Sequence, residues 1–213
     1  QAAITSPQDL AWFLASYAKD ARARIEKSDL PALDAIRTGL EEALGISFRE
    51  QQGNHFFKST LIQTLFYGLF SAWVLWHKQG ARRGYFDWQT AAWSLHVPMV
   101  KALFEKVATP TNLGRLDLVE VLDWTGKALN RVDRDSFFAQ FDEGQAVQYF
   151  YEPFLEAFDP QLRKDMGVWY TPPEIVQYMV ARVETVLREE LGIADGLAGE
   201  NVYILDPVSY THL

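Results

Sequence analysis

The 213-residue chain combines 48% hydrophobic with 23% charged residues, a balance that is typical of a globular protein with a sizeable core and excludes a disordered or low-complexity chain. Its 20 Lys and Arg against 28 Asp and Glu give a formal net charge of −8, so any nucleic acid has to be bound locally or by other regions. The absence of cysteine excludes a disulfide framework, a thiol nucleophile and cysteine-ligated metal sites, and it fits a reducing compartment such as the cytoplasm.

The two ends of the sequence predict a fragment. The chain starts with Gln1 rather than Met and stops within a few residues of an apparent strand. Its first residues lack the charged and apolar regions of a secretory signal. The segment 61–76 is uncharged but shorter than the ~20 residues of a spanning helix, and we expect a buried core helix there and no membrane contact.

Apolar residues at helical spacing predict three helices in the first 80 residues. Ser6 and Pro7 are typical of a helix start, and Gly45 is typical of the end of a helix over 33–44. The third helix, over 56–77, is the most regular, and Gly68 within it offers a point of close approach. The apolar face expected for the first helix contains Leu10, Phe13, Leu14 and Tyr17.

Shorter helices are expected in the middle of the chain. They cover 88–95 and 98–107, then one helix from Leu113 to about Asn130 after a break at 109–112, and a short segment over 135–141. The following helix runs to Phe158, and Pro153 is expected to bend or divide it.

The pattern changes after Asp159-Pro160. A loop leads into a helix with apolar positions between Ile175 and Leu191, which Gly192 ends. The run 202–205 then reads as a buried parallel strand, and Asp206 follows at its carboxyl end, where ligands bind in α/β sheets.

Four segments together resemble N6-adenine DNA methyltransferases of single-chain restriction–modification enzymes, the Type IIG and Type ISP groups. Tyr-Thr-Pro before a helix resembles their motif X, and a strand ending in Asp-Pro resembles the start of motif I. Two upstream segments resemble the helical connector and the approach to motif X. In chain order the segments are QTLFYGLF (63–70), FYEPFL with Asp159-Pro160 (150–160), GVWYTPPEIVQYMV (167–180) and NVYILDP (201–207).

The resemblance implies a mainly α chain with two parts. Residues 1–160 are expected to form a helical connector domain, and 161–207 the truncated beginning of an α/β Rossmann-like S-adenosylmethionine-dependent methyltransferase domain. The cofactor-binding residues implied are Tyr170, Thr171, Pro172, Asp206 and Pro207.

Local chemistry gives these positions simpler interpretations as well. Thr171 is placed to cap the following helix, with Pro172 in its first turn and Glu174 as the capping-box acid, whether or not Thr171 contacts a cofactor. Asp206 taken alone is an ordinary Asp-Pro at the end of a strand.

The sequence departs from the family after Pro207. Residues 208–213 contain no glycine where the family has a glycine-containing turn, so we expect a non-native tail. The catalytic Asn/Asp-Pro-Pro-Tyr/Phe loop is also missing, so no catalytic residue is assigned and the fragment is expected to be inactive. Double-stranded DNA would be bound through regions outside these 213 residues, and a nuclease domain could belong to the same protein. The alternative is a helical scaffold or interaction module.

Other combinations of residues give weaker indications of a functional site. The four His residues are dispersed, so no metal site is expected. A basic cluster with nearby aromatic residues could contact a DNA backbone, but a solvated loop beside core aromatic residues is the favoured interpretation. This cluster consists of Lys78, Arg82 and Arg83, with Tyr85, Trp88 and Trp93 nearby.

Overall fold

The computed structural model describes residues 4–27, 30–45, 47–48, 51–79, 84–90, 95, 101, 104–105, 107–141, 146–165, 171 and 173–204. These residues are mainly helical, as the sequence predicts. None of the residues so described forms a β-strand, and Ile4 and Val132 make an isolated parallel bridge. The chain divides into two compact units, Gln1–Arg163 (unit 1) and Lys164–Leu213 (unit 2).

Unit 1 is an assembly of helices around an aromatic core. Its described helices are α1 (Pro7–Ile25), α2 (Leu30–Leu44), α3 (Gln51–Lys78), α4 (Pro110–Arg115), α5 (Val119–Leu129), α6 (Arg134–Gln140) and α7 (Glu152–Phe158), and α8 (Pro160–Asp165) begins at its end.

Helix α1 begins as predicted. The Ser6 side chain accepts a hydrogen bond from the Asp9 backbone N–H at 3.1 Å, and Pro7 occupies the first turn. The helix packs against α3, α5 and α7, and buries Leu10 and Leu14 completely. The predicted apolar face is wrong in one respect, because Phe13 is 42% exposed and does not belong to the core.

Helix α3 is the long core helix that the sequence predicts. Its buried side chains include Phe66, Phe70 and Trp73. In the described residues, no helix is long and apolar enough to cross a membrane. Gly68 permits the close approach predicted for it, since a β-carbon at this position would collide with the ring of Phe104.

The single helix predicted between Leu113 and Asn130 is in fact two helices. Thr109 and Pro110 do not break the chain but start α4, because the Thr109 side chain accepts a hydrogen bond from Asn112 N–H at 3.2 Å. Asp117, at φ 55°, then interrupts the helical backbone before α5 begins at Val119. A left-handed residue inside the apolar pattern therefore separates α4 from α5.

Pro153 lies where the helical hydrogen-bond pattern changes, from a π-helical turn over Val147–Tyr151 to α7, which starts at Glu152. The predicted division is not seen, because Tyr151 at the junction keeps helical torsions, with φ −66° and ψ −42°. Helix α8 was not predicted; it starts directly after Asp159. Of the predicted helices over 88–95 and 98–107, the first contains a short 3₁₀ turn at Trp88–Thr90, and most of the remainder lies outside the described residues.

Unit 2 contains α9 (Pro173–Thr185), a π-helical turn (Val186–Glu190) and a 3₁₀ turn (Gly196–Ala198). Gly192 ends the helical stretch in the left-handed region, at φ 68°, as predicted. The predicted strand is wrong for residues 202–204, which have no strand structure, and the side chains of Tyr203 and Ile204 are 92% and 74% exposed. A strand needs a paired neighbour to satisfy its backbone groups, and no paired strand exists in the described residues.

Candidate functional site

The predicted cofactor-binding residues lie mostly beyond the described part of the chain. Thr171 is described and exposed, whereas Tyr170, Pro172, Asp206 and Pro207 lie outside the described residues. The mutual arrangement of the five residues therefore stays a prediction.

The described part of α9 begins at Pro173. Pro172, which stands between Thr171 and this helix, lies outside the described residues, so the cap predicted at Thr171 stays a prediction. Glu174 lies in the first turn, where its charge is favourable.

Helix α9 is stabilised within unit 2 by one carboxylate. Glu184 accepts hydrogen bonds from the backbone N–H of Leu197 at 2.8 Å and from Arg188 Nε at 2.5 Å. The Leu197 N–H, and secondarily Arg188, lower the pKa of Glu184 below its ordinary value. The apolar positions of α9 are exposed: Ile175, Val176, Met179, Val180 and Val183.

The two upstream segments that carry the family resemblance pack against each other in unit 1. Phe70 of α3 stacks on Phe150, with ring centroids 3.5 Å apart and ring planes 5° apart. Tyr67 meets the ring of Tyr151 edge to face at 4.6 Å, and the Tyr151 and Ser71 hydroxyls share a hydrogen bond of 2.9 Å. Burial raises the pKa of Tyr151, and the hydrogen bond with Ser71 offsets part of that increase. The two segments thus form one aromatic contact, about 80 residues apart in sequence.

A buried carboxylate lies at the end of the same resembling segment. Asp159 is 3% exposed, and its Oδ2 accepts hydrogen bonds from Arg22 Nη1 of α1 at 3.0 Å and from Ser59 Oγ of α3. His55 Nε2 lies 2.8 Å from the same oxygen. The other carboxylate oxygen of Asp159, Oδ1, accepts a hydrogen bond from the Leu162 N–H at 3.1 Å, so Asp159 caps α8.

These contacts make Asp159 a structural anchor rather than a reactive group. Both carboxylate oxygens are engaged by donors, and no group of three or more His, Cys, Asp or Glu with metal-binding geometry occurs in the described part of the chain. Sequence reasoning pointed to Asp159 but missed Arg22, His55 and Ser59, because these residues lie on two other helices with no local signal linking them to Asp159.

A cavity of about 390 Å³ opens on the surface of unit 1 between α1 and α5. Three aromatic residues line it: Phe13, Tyr17 and Trp124. Two exposed cations, Lys127 and Arg131, also line it, together with Ile4 and Ala128. Sequence reasoning missed this aromatic and cationic pocket, although two pairs in its lining have i, i+4 spacing in the sequence. These pairs are Phe13 with Tyr17 and Lys127 with Arg131.

The basic cluster named from sequence is only partly described. Arg82, Arg83 and Trp93 lie outside the described residues, and Tyr85 is exposed. Trp88 donates its indole N–H to Asp123 at 2.7 Å and packs on Gly126, so it belongs to the fold of unit 1.

No protein-family model, curated protein or solved structure matches the chain.

Proposed function

We propose that the chain belongs to an S-adenosylmethionine-dependent DNA methyltransferase that transfers a methyl group to adenine N6 within a restriction–modification system in the cytoplasm. The observation that carries the proposal is the order of the four resembling segments, over 63–70, 150–160, 167–180 and 201–207. Each is weak alone, and their occurrence together in family order is what gives the proposal its weight.

The packing of unit 1 accounts for residue types in the two upstream segments. The contact of Phe70 with Phe150 and the burial of Asp159 give a physical reason for these residue types in both upstream segments. Residues 1–160 are proposed as the helical connector, and 161–207 as the beginning of the Rossmann-like domain.

The residues present fit the cofactor only in part. Thr171 is exposed just before the N-terminus of α9, where a helix dipole favours an anionic group such as the cofactor carboxylate. By contrast, residues 208–213 include no glycine that would let the backbone approach a cofactor. The chain also lacks an Asn/Asp-Pro-Pro-Tyr/Phe element, so no step of methyl transfer is assigned to it. Extrusion and methylation of the target base in double-stranded DNA would depend on other regions of the enzyme.

Calorimetric titration of the intact gene product with S-adenosylmethionine tests the proposal. We expect binding, together with methylated adenine in host DNA. Thr171→Ala should weaken binding about fivefold, the effect of losing roughly one hydrogen bond. Thr111→Ala, at an exposed position of α4, is the matched control and should have no effect.

Absence of both binding and adenine methylation would instead favour a helical scaffold with no catalytic role. The 213-residue chain itself should bind the cofactor far more weakly than the intact product. Equal affinity would contradict the incomplete pocket inferred from residues 208–213.

A further inference from the structure

The pocket between α1 and α5 has the size and lining of a ligand site. Its volume of about 390 Å³ lies at the lower end of the range for small-molecule pockets, which suits one nucleotide unit. The lining combines aromatic surface with positive charge, and none of the described residues that form it carries a carboxylate.

The aromatic wall of the pocket is fixed and partly open to solvent. Phe13 meets Tyr17 edge to face with ring centroids 5.2 Å apart, and Tyr17 lies 5.9 Å from Trp124. Phe13 is exposed although it lies on a core helix, whereas Leu10 and Leu14 beside it are fully buried. Such a wall can stack on a flat base, whatever the identity of that base.

The cations of the pocket differ from Arg24, which lies over the Trp124 ring at 5.2 Å. Arg24 is held by Asp20, Asp117 and Glu120 and is neutralised by them. Lys127 and Arg131 make no ion pair with the residues that the structure describes. Their charge is therefore available to an anion that enters the pocket, and phosphate is a common partner of both side chains.

We propose that this pocket binds a nucleotide unit, with the base against Phe13, Tyr17 and Trp124 and the phosphate held by Lys127 and Arg131. The ligand is either a free nucleotide or one residue of a single-stranded DNA. The inference does not rest on the proposed methyltransferase function, because it uses the chemistry of unit 1 alone.

Fluorescence polarisation with the 213-residue protein tests the pocket, using a labelled six-residue oligothymidylate, with unlabelled AMP and oligothymidylate as competitors. Phe13→Ala and Arg131→Ala should each weaken binding about fivefold or more, and Phe13→Trp should retain it. Lys127→Ala should also reduce the slope of log K against log salt concentration by about 0.7, the value for one phosphate of a single strand.

Matched controls come from residues outside the pocket. Trp12→Ala removes an exposed aromatic ring of the same helix, and Lys19→Ala removes an exposed lysine of that helix; neither should change binding. Circular dichroism checks that each variant is folded.

The two sources of the ligand are separated by competition. AMP that competes as well as the oligonucleotide indicates a free nucleotide, and competition by the oligonucleotide alone indicates a strand; both results support the pocket. The proposal is overturned if neither ligand binds at millimolar concentration, if the control variants lose as much affinity as Phe13→Ala, or if polyglutamate competes equally. Because this assay uses neither the cofactor nor methylation, its failure is distinguishable from failure of the proposed function.

Discussion

The buried carboxylate of Asp159 joins three helices, since it contacts α1, α3 and the start of α8. A buried carboxylate is favourable only while its partners compensate for the lost hydration. Removing its charge leaves Arg22 facing a neutral amide in a site built for an anion.

We therefore expect Asp159→Asn to lower the free energy of unfolding by about 3–5 kcal/mol, the range for a broken buried ion pair. Glu26→Gln is the control, because Glu26 contacts the same Arg22 at 3.8 Å on the exposed surface and should cost less than about 1 kcal/mol. Urea unfolding followed by circular dichroism measures both. Equal losses in the two variants would show that burial of Asp159 contributes nothing.

Tyr151 makes unit 1 sensitive to alkaline pH. Its pKa is raised in the folded state, mainly by burial, so the folded protein keeps the proton that the unfolded chain releases near pH 10. Stability from this residue is therefore fully present below about pH 10 and is lost as the pH rises further.

Replacing Tyr151 with Phe should reduce this alkaline loss and cost about 1 kcal/mol at neutral pH through the missing hydrogen bond with Ser71. Tyr85→Phe, at a position that is 87% exposed, should change neither. The measurement is urea unfolding between pH 7 and pH 11. An unchanged alkaline slope in Tyr151→Phe would be incompatible with this explanation.

At the scale of elements, glycines inside two helices have opposite roles. A β-carbon at Gly68 of α3 meets the Phe104 ring, whereas one at Gly114 of α4 meets nothing within 4 Å. Gly68→Ala should therefore destabilise the protein by about 1–3 kcal/mol through overpacking. Gly114→Ala should stabilise it by up to about 1 kcal/mol through higher helix propensity. Thermal unfolding of both variants measures whether each substitution raises or lowers stability. Stabilisation by Gly68→Ala would mean that Phe104 moves aside without cost.

The elements that the sequence predicted best are those with chemical signals in adjacent residues. Ser6 with Pro7 marks the start of α1, and Pro153 marks the change from the π-helical turn to α7. The break at Asp117 has no comparable signal, because apolar spacing continues through it and only the left-handed φ of one residue separates the helices. The expected strand at 202–204 failed for a different reason, since a strand depends on a neighbour that local sequence does not encode.

The candidate sites also differ in whether adjacent residues are enough to predict them. The segment around Thr171 could be named from adjacent residues alone. The pocket could not, because Phe13 and Trp124 come together only through the packing of α1 against α5, more than a hundred residues away. Phe13 in particular has the spacing of a core residue, and only the tertiary structure places it at the surface.

For the whole molecule, the distribution of the core is uneven. Among the residues that the structure describes, the largest fully buried side chains, such as Trp73, Phe57 and Phe154, all belong to unit 1. A chain of this size has enough buried surface for cooperative folding. We expect residues 1–165, which retain α8, to unfold in a single sigmoidal urea transition with coincident fluorescence and circular dichroism signals. A gradual or probe-dependent transition would show that this core is not sufficient.

The anchor at Asp159 also determines when unit 1 can be completed. Arg22 and Asp159 are 137 residues apart in sequence, and α1 packs against α7 at the far end of the unit. During synthesis, α1 therefore leaves the ribosome long before α7, its principal partner, and the part of its apolar face that α7 covers stays exposed for that time. The contact of Arg22 with Asp159 forms late in synthesis, and a nascent chain that pauses before residue 159 exposes an incomplete core to chaperones and proteases.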